Sequence, residues 1–255
     1  MACEPRQPAR GAAFSAMTAL VVAGCSTAMP VRDPERWAEP FPGVWIDAKE
    51  RVVEFDGVVP IDPHDPETPT IFLEVVVCSP NSREHESLVV TRALPSHVHA
   101  ALLLLGAQPG RPGHWTRDDR TRRMIAAGPE GPVVDVMLVT RSAWGGERES
   151  DPATWIVDVR DGRTLRDIAG GDMAWVFAGS VVAPRPDGPG EYYKADIEGT
   201  LVGLATFGTE TLGWQGVFSP DSAVQAPEWI ANVRLVPAYN DPVTVRLRVQ
   251  PAGER

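Results

Sequence analysis

Thr70–Cys78 (TIFLEVVVC), the turn Ser79–Arg83 (SPNSR), Ser87–Thr91 (SLVVT) and Pro95–Gly106 (PSHVHAALLLLG) follow one another with little between them. The first segment is β-branched and apolar at nearly every position, as expected of a central strand covered on both faces. Ser87–Thr91 returns as a second strand. Pro95-Ser96 opens a helix through Leu105, which Gly106 is placed to stop. The leucines at 102 to 105 make this helix apolar around most of its circumference, so it is expected to be well buried.

Outward from this unit, strands dominate. Arg51–Val59 (RVVEFDGVV) alternates, and Val133–Thr140 (VVDVMLVT) is a further strand. Ala174–Ala183, Gly199–Phe207, Ala231–Val236 and Val243–Val249 make the C-terminal half strand-rich, with Pro184–Gly190 as a hairpin-like connection. Asp151-Pro152 sets up a short second helix over Ala153–Val159, capped by Asp151, although TWIVDV also fits a strand. Pro60–Pro69 (PIDPHDPETP) has too many prolines for regular structure. Its Asp62, His64, Asp65 and Glu67 lack the glycine turn of a cation-binding loop, which favours an exposed polar loop. Long strands with few helices give an α+β fold, a single strand-rich domain, rather than an alternating parallel sheet.

The chain has 255 residues and a net charge of −10. That balance argues against nucleic acid as a partner, because phosphate binding needs a basic face. Arg117, Arg120, Arg122 and Arg123 fit a solvated turn. The three cysteines, Cys3, Cys25 and Cys78, have no metal-ligand spacing. An iron–sulfur cluster is therefore argued against and no cofactor is expected, while zinc is left open.

At the N-terminus, Arg6 and Arg10 precede an apolar run, Gly11–Val22, too short to span a bilayer. It ends in Val22-Ala23-Gly24-Cys25, which resembles the lipobox of bacterial lipoproteins. The resemblance implies a signal peptide over residues 1–24, cleavage before Cys25 and lipidation of that cysteine. The partner would then be a membrane, and the location the cell envelope. Ser26–Pro42 is rich in proline, so residues 25–43 are expected to form a flexible tether and 44–255 the folded domain.

Within that domain, Leu73-Glu74, Glu84-His85-Glu86-Ser87, Val98-His99-Ala100-Ala101-Leu102 and Leu105-Gly106-Ala107-Gln108-Pro109-Gly110 occur in order. Trp175–Ser180 (WVFAGS), Tyr192–Asp196 (YYKAD) and Asp241–Val245 (DPVTV) follow. Together they resemble the YdjY-type domain in its longer bacterial version, over about residues 72–251. The resemblance implies an exported or lipid-anchored bacterial protein. Some members carry a ferredoxin-like label, from which this chain departs for want of cysteines. Gly213 stands where the longer version tends to carry an aspartate.

The sharpest chemical constellation is His85, Glu86 and His99. A histidine and a carboxylate brought together at a helix start would make a general acid/base pair or part of a metal site. Zinc would need a third ligand, with His97 and His114 as the nearest choices. His97 and His99, two apart on a helix, point about 200° from one another and do not share an ion comfortably. The alternative is structural, with His99 a satisfied core histidine. Trp175, Tyr192, Tyr193 and Asp196 resemble a carbohydrate-stacking set, but aromatic residues on strands more often pack. No nucleophile elbow, phosphate-binding glycine loop or H-E-x-x-H motif is present. The expected function is therefore a lipid-anchored envelope module that binds a small ligand or an envelope protein, or acts as a scaffold. The alternative is a metal-dependent or acid/base hydrolase centred on His85, Glu86 and His99.

Overall fold

The computed structural model describes residues 30–142 and 146–250. The signal segment, Cys3 and Cys25 lie outside these residues. The first strands of the described residues form a hairpin, β1 (Ala38–Phe41) and β2 (Val44–Asp47), turned at Gly43, whose φ of 72° suits a glycine. β3 (Val52–Val58) follows, then β4 (Val75–Cys78) and β5 (Ser87–Thr91), parallel neighbours joined across one 3₁₀ turn at Glu84–Glu86. The expected strand over Thr70–Cys78 is thus shorter. Glu74 interrupts its apolar run, and residues 70–74 continue extended with a single bridge, from Phe72 to Ile230.

α1 (Pro95–Leu104) keeps the expected bounds, with proline in its first turn and Gly106 at φ 82° after its end. It is less buried than its composition suggests. Val98, Ala101 and Leu102 pack inward, whereas Leu103 and Leu104 are 41% and 60% exposed. A helix laid on one side of a sheet has only one face to bury, whatever the residues on the other.

A hairpin, β6 (His114–Arg117) and β7 (Met124–Ala127), leads to β8 (Val134–Arg141) and β9 (Glu147–Ser150). The helix and strand readings of 153–159 are each half right. α2 (Pro152–Trp155) is one turn, capped by Asp151, which accepts from the Ala153 N–H at 2.9 Å, and β10 (Ile156–Asp158) follows directly. Two further one-turn helices escaped the sequence reading because five residues show no period. α3 (Leu165–Ala169) has a capping box of Thr164 and Asp167. After β11 (Trp175–Phe177) and the hairpin β12 (Val182–Pro184) and β13 (Glu191–Tyr193), α4 (Lys194–Glu198) ends at Gly199 in the left-handed region. β14 (Thr200–Gly203), β15 (Leu212–Trp214), β16 (Trp229–Ala231) and β17 (Pro242–Val249) complete the chain. The fold is α+β and mostly β.

The large mixed sheet runs β11-β15-β14-β4-β5-β3-β17-β8-β9, and β2 pairs the first half of β3 on the edge whose last two residues pair with β5. Val176 in β11 bridges Val133, and the Phe177 N–H donates to the Pro132 carbonyl at 3.0 Å. The sheet therefore curls until its first strand meets the start of β8, which covers an edge that would otherwise stay open. One continuous core fills the concave side, including Phe55, Leu88, Leu102, Leu138, Trp155, Phe177 and Trp214. Each such large side chain contributes about 1.5–3 kcal/mol by leaving water.

On the convex side of β3, β17 and β8 the pleat alternation turns out Glu54, Asp56, Thr244, Arg246 and Arg248. Here the expected tether departs from expectation. Arg32 places its guanidinium on both oxygens of Asp56 at 2.8 Å and on Glu54 at 3.1 Å, over the Trp45 ring. Phe41 stacks on His97 at 5.1 Å. Proline content suggested a free segment, but from Arg32 onward residues with specific partners tie it to the domain.

Candidate functional site

The extended residues 70–74 and the segment 218–229 face one another and do not pair along their length. The Leu73 N–H donates to the Trp229 carbonyl at 2.8 Å, and Phe72 bridges Ile230. Beyond these contacts Pro69, Pro220 and Pro227 remove backbone donors, so the walls stay apart. Between them lies a cleft of about 640 Å³. Its walls include Ile71, Phe72, Leu204, Phe218 and Trp229, the last two meeting edge to face at 5.2 Å. Glu74, His85 and Glu86 line one end and Glu228 another part of the rim.

The polar end is built by β4 and β5 starting side by side. The Glu74 N–H donates to the Glu86 carbonyl at 3.0 Å, while the Glu74 carbonyl accepts from Leu204 and Ala205 at 3.0 and 2.8 Å. This fixes the Glu74 and Glu86 backbones together and turns both carboxyl groups toward Arg83. Arg83 Nη1 donates a long hydrogen bond to Glu74 Oε2 at 3.4 Å and lies 3.7 Å from Glu86 Oε2, while the guanidinium face lies on the Phe207 ring at 4.3 Å. His85 Nε2 stands 3.5 Å from Glu86 Oε1 with a side chain 75% exposed. Burial and the neighbouring Glu86 carboxylate push the Glu74 carboxyl up to about 7, against the pull of Arg83. Glu74 is therefore partly protonated near neutrality.

His85 and Glu86 are together, as expected, but His99 keeps other company. Its Nδ1 is 2.9 Å from the Tyr193 hydroxyl, and its ring meets Phe177 and Tyr193 edge to face at 4.9 and 5.3 Å. Tyr193 in turn donates to the Gly179 carbonyl at 3.1 Å and lies 3.0 Å from Thr211 Oγ1. Burial lowers the His99 pKa, which favours the neutral ring. His99 does not line the cleft. His97 packs on Phe41, and His114 is exposed on β6. Among the described residues, no three His, Cys, Asp or Glu side chains are placed to hold one metal ion.

The remaining candidate groups serve local structure. Asp62 and Asp65 accept from backbone N–H groups of their own loop, and His64 Nε2 is 2.9 Å from the Val236 carbonyl. Trp175 packs on Trp214, and Asp196 accepts from the Ser96 N–H at the start of α1, which disperses the aromatic set. Cys78 is free and buried, and burial pushes its thiol up, away from the reactive thiolate. Glu210 is fully buried. Its carboxyl accepts from the Gly113, Gly208 and Thr209 N–H groups and pins the 108–114 loop. A Cβ on Gly213 would meet Pro129 at 2.8 Å and Glu210 at 3.1 Å, so a side chain there presses on this arrangement.

Sequence reasoning noted Glu74 only as part of a motif. The signal that marks it is a lone charge inside an apolar strand, which is costly unless it has a partner or a purpose. The family model described as YdjY domain matches residues 44–248, and the chain belongs to that family. The match begins in β2, earlier than the motifs that carry the resemblance. Comparison with curated proteins and with solved structures gives no match.

Proposed function

We propose that the protein is a binding module of the bacterial cell envelope, lipid-anchored through Cys25, and that the cleft between residues 70–74 and 218–229 is its binding site. The observation that carries this reading is the cleft itself, apolar along its walls and ended by the Glu74 and Glu86 carboxyl groups beside Arg83. Concave apolar pockets with a few convergent polar groups are the usual form of a small-ligand site. The structure lends less support to a hydrolase centred on His85, Glu86 and His99, because His99 is engaged with Tyr193 and not with the cleft.

Anchoring at Cys25 would hold the domain near the membrane. Arg32 is already locked onto Glu54 and Asp56. The chain from Cys25 to Arg32 spans at most roughly 25 Å when fully extended. Cys25→Ser is expected to abolish palmitate labelling and leave an unprocessed precursor. Unchanged labelling defeats the anchor.

The binding site is tested by a fragment screen on the isotope-labelled protein observed by NMR. Fragments are expected to shift amide signals of residues 70–74, 204–205 and 218–229, and to lose this effect when Ala226→Trp fills the exposed mouth of the cleft. Equal shifts in the variant, or shifts confined to other regions, would remove the cleft from consideration.

A further inference from the structure

We infer that the cleft takes an apolar ligand headed by an ammonium group, with the head between Glu74 and Glu86 and the body along Phe218 and Trp229. The inference rests on the cleft being the binding site and names the chemistry of its occupant.

Two features carry the inference, one for the head and one for the body. The first is a charge count at the polar end. From the extended segment comes Glu74, and from the 3₁₀ turn come Arg83, His85 and Glu86. Residues 204–205 bring no titratable group. Glu228, from the opposite wall, is already paired with Arg160 at 3.0 Å. Two carboxyl groups therefore face one guanidinium, held at 3.4 and 3.7 Å and engaged over the Phe207 ring. With one guanidinium for two carboxyl groups, and His85 largely exposed beside Glu86, this end has room for a further positive charge. A ligand carboxylate would meet two like charges, whereas an ammonium supplies that charge and three donors.

The second feature is aromatic. Phe218 and Trp229 stand edge to face at 5.2 Å and form a corner in the wall of the same cleft. Their faces give the ligand's apolar body a surface to pack on, next to the charged end of the same cleft. A bare divalent metal fits less well, since the walls are apolar and the described residues supply no three-ligand set.

A cation at this end would favour the ionised form of Glu74. With the Glu74 carboxyl raised to about 7 by burial and by Glu86, affinity for the cation should increase as pH rises through neutrality.

Phenethylammonium, 2-phenylethanol and phenylacetate share an apolar body and differ in the head. They are titrated against the full chain, and against Glu74→Gln and Glu86→Gln, by NMR and calorimetry at about pH 6 and about pH 8. Calorimetry in buffers of different ionisation enthalpy counts released protons. The expected result is binding of the ammonium about tenfold tighter than the alcohol at the higher pH, with the carboxylate weakest. That preference should be lost in either Gln variant, each checked for an unchanged fold by its amide spectrum. Equal binding of ammonium and alcohol in the cleft overturns the ligand class and leaves the cleft standing. If none of the three shifts cleft signals at millimolar concentration, the ligand class is overturned; the fragment screen then decides the cleft separately.

Discussion

Two clusters of arginine and glutamate sit on the same curled sheet and are arranged in opposite ways. On the convex face, Glu54 is only 2% exposed, yet it has Arg32 at 3.1 Å and Arg246 in close contact. Arg246 also contacts Glu149, which takes both oxygens to Arg248 at 2.7 and 2.8 Å. Partial burial works to raise the Glu149 and Glu147 carboxyls, but their arginines prevail and hold them below the usual carboxylate range. At the cleft, Glu74 and Glu86 share one arginine at longer range, and Glu74 moves upward instead. A cluster whose charges are all compensated holds the fold together. A cluster left one charge short can still accept something from outside.

The comparison is broken most directly by removing an arginine from each. Arg246→Met leaves Glu54 buried with half its compensation and should cost about 3 kcal/mol. Arg83→Met, whose side chain is 37% exposed, should cost no more than about 1 kcal/mol. Denaturant midpoints of the two variants measure the difference, and equal losses would show that the clusters do the same job. Arg32→Ala comes next, at about 2 kcal/mol, since it removes three hydrogen bonds to two carboxylates and the contact with Trp45. The variant should also become open to limited proteolysis between Arg32 and Phe41 while the rest stays resistant.

The clusters should also respond to pH with opposite signs. A carboxyl held below its usual value contributes stability that is present above the unfolded value and is lost as acid protonates it; Glu147 and Glu149 behave so. Glu74 is raised from 4.5 to about 7, so its folded form binds the proton more tightly than the unfolded chain does. Its contribution is fully present below about 4.5 and fades as pH climbs to about 7, by on the order of 2 kcal/mol. Glu74→Gln should flatten stability against pH over that window and leave the acid limb unchanged. If the slope between those values persists in the variant, another group carries it.

These contrasts also explain what the sequence made legible. The strands Ser87–Thr91, Val52–Val58 and Val134–Arg141 and the bounds of α1 follow from local apolar patterning, and they are found nearly where expected. The lone Glu74 is visible as a charge in an apolar run. What faces it is not, because Phe218 and Trp229 reach the cleft through the bridge from Phe72 to Ile230, a pairing between distant parts of the chain that no local pattern encodes. Likewise Arg32 and Phe41 lie in a proline-rich segment that resembles a tether by composition, and only their distant partners Asp56 and His97 show otherwise. His85 and His99 looked like partners because a short connection separates them in sequence. The helix instead presents His99 to Tyr193 and Phe177.

The smallest effect is therefore the one that tests this last separation. His85→Ala should change stability by less than about 0.5 kcal/mol, because the side chain is 75% exposed and stands 3.5 Å from Glu86 Oε1. His99→Ala removes a hydrogen bond to Tyr193 and two aromatic contacts, and should cost about 1–2 kcal/mol. If the two histidines and Glu86 acted as one unit, the double variant would depart from the sum of the singles by more than about 0.5 kcal/mol. With His85 at the cleft and His99 held by Tyr193, the losses should add within that margin. Coupling beyond it would reunite the pair and revive the hydrolase reading.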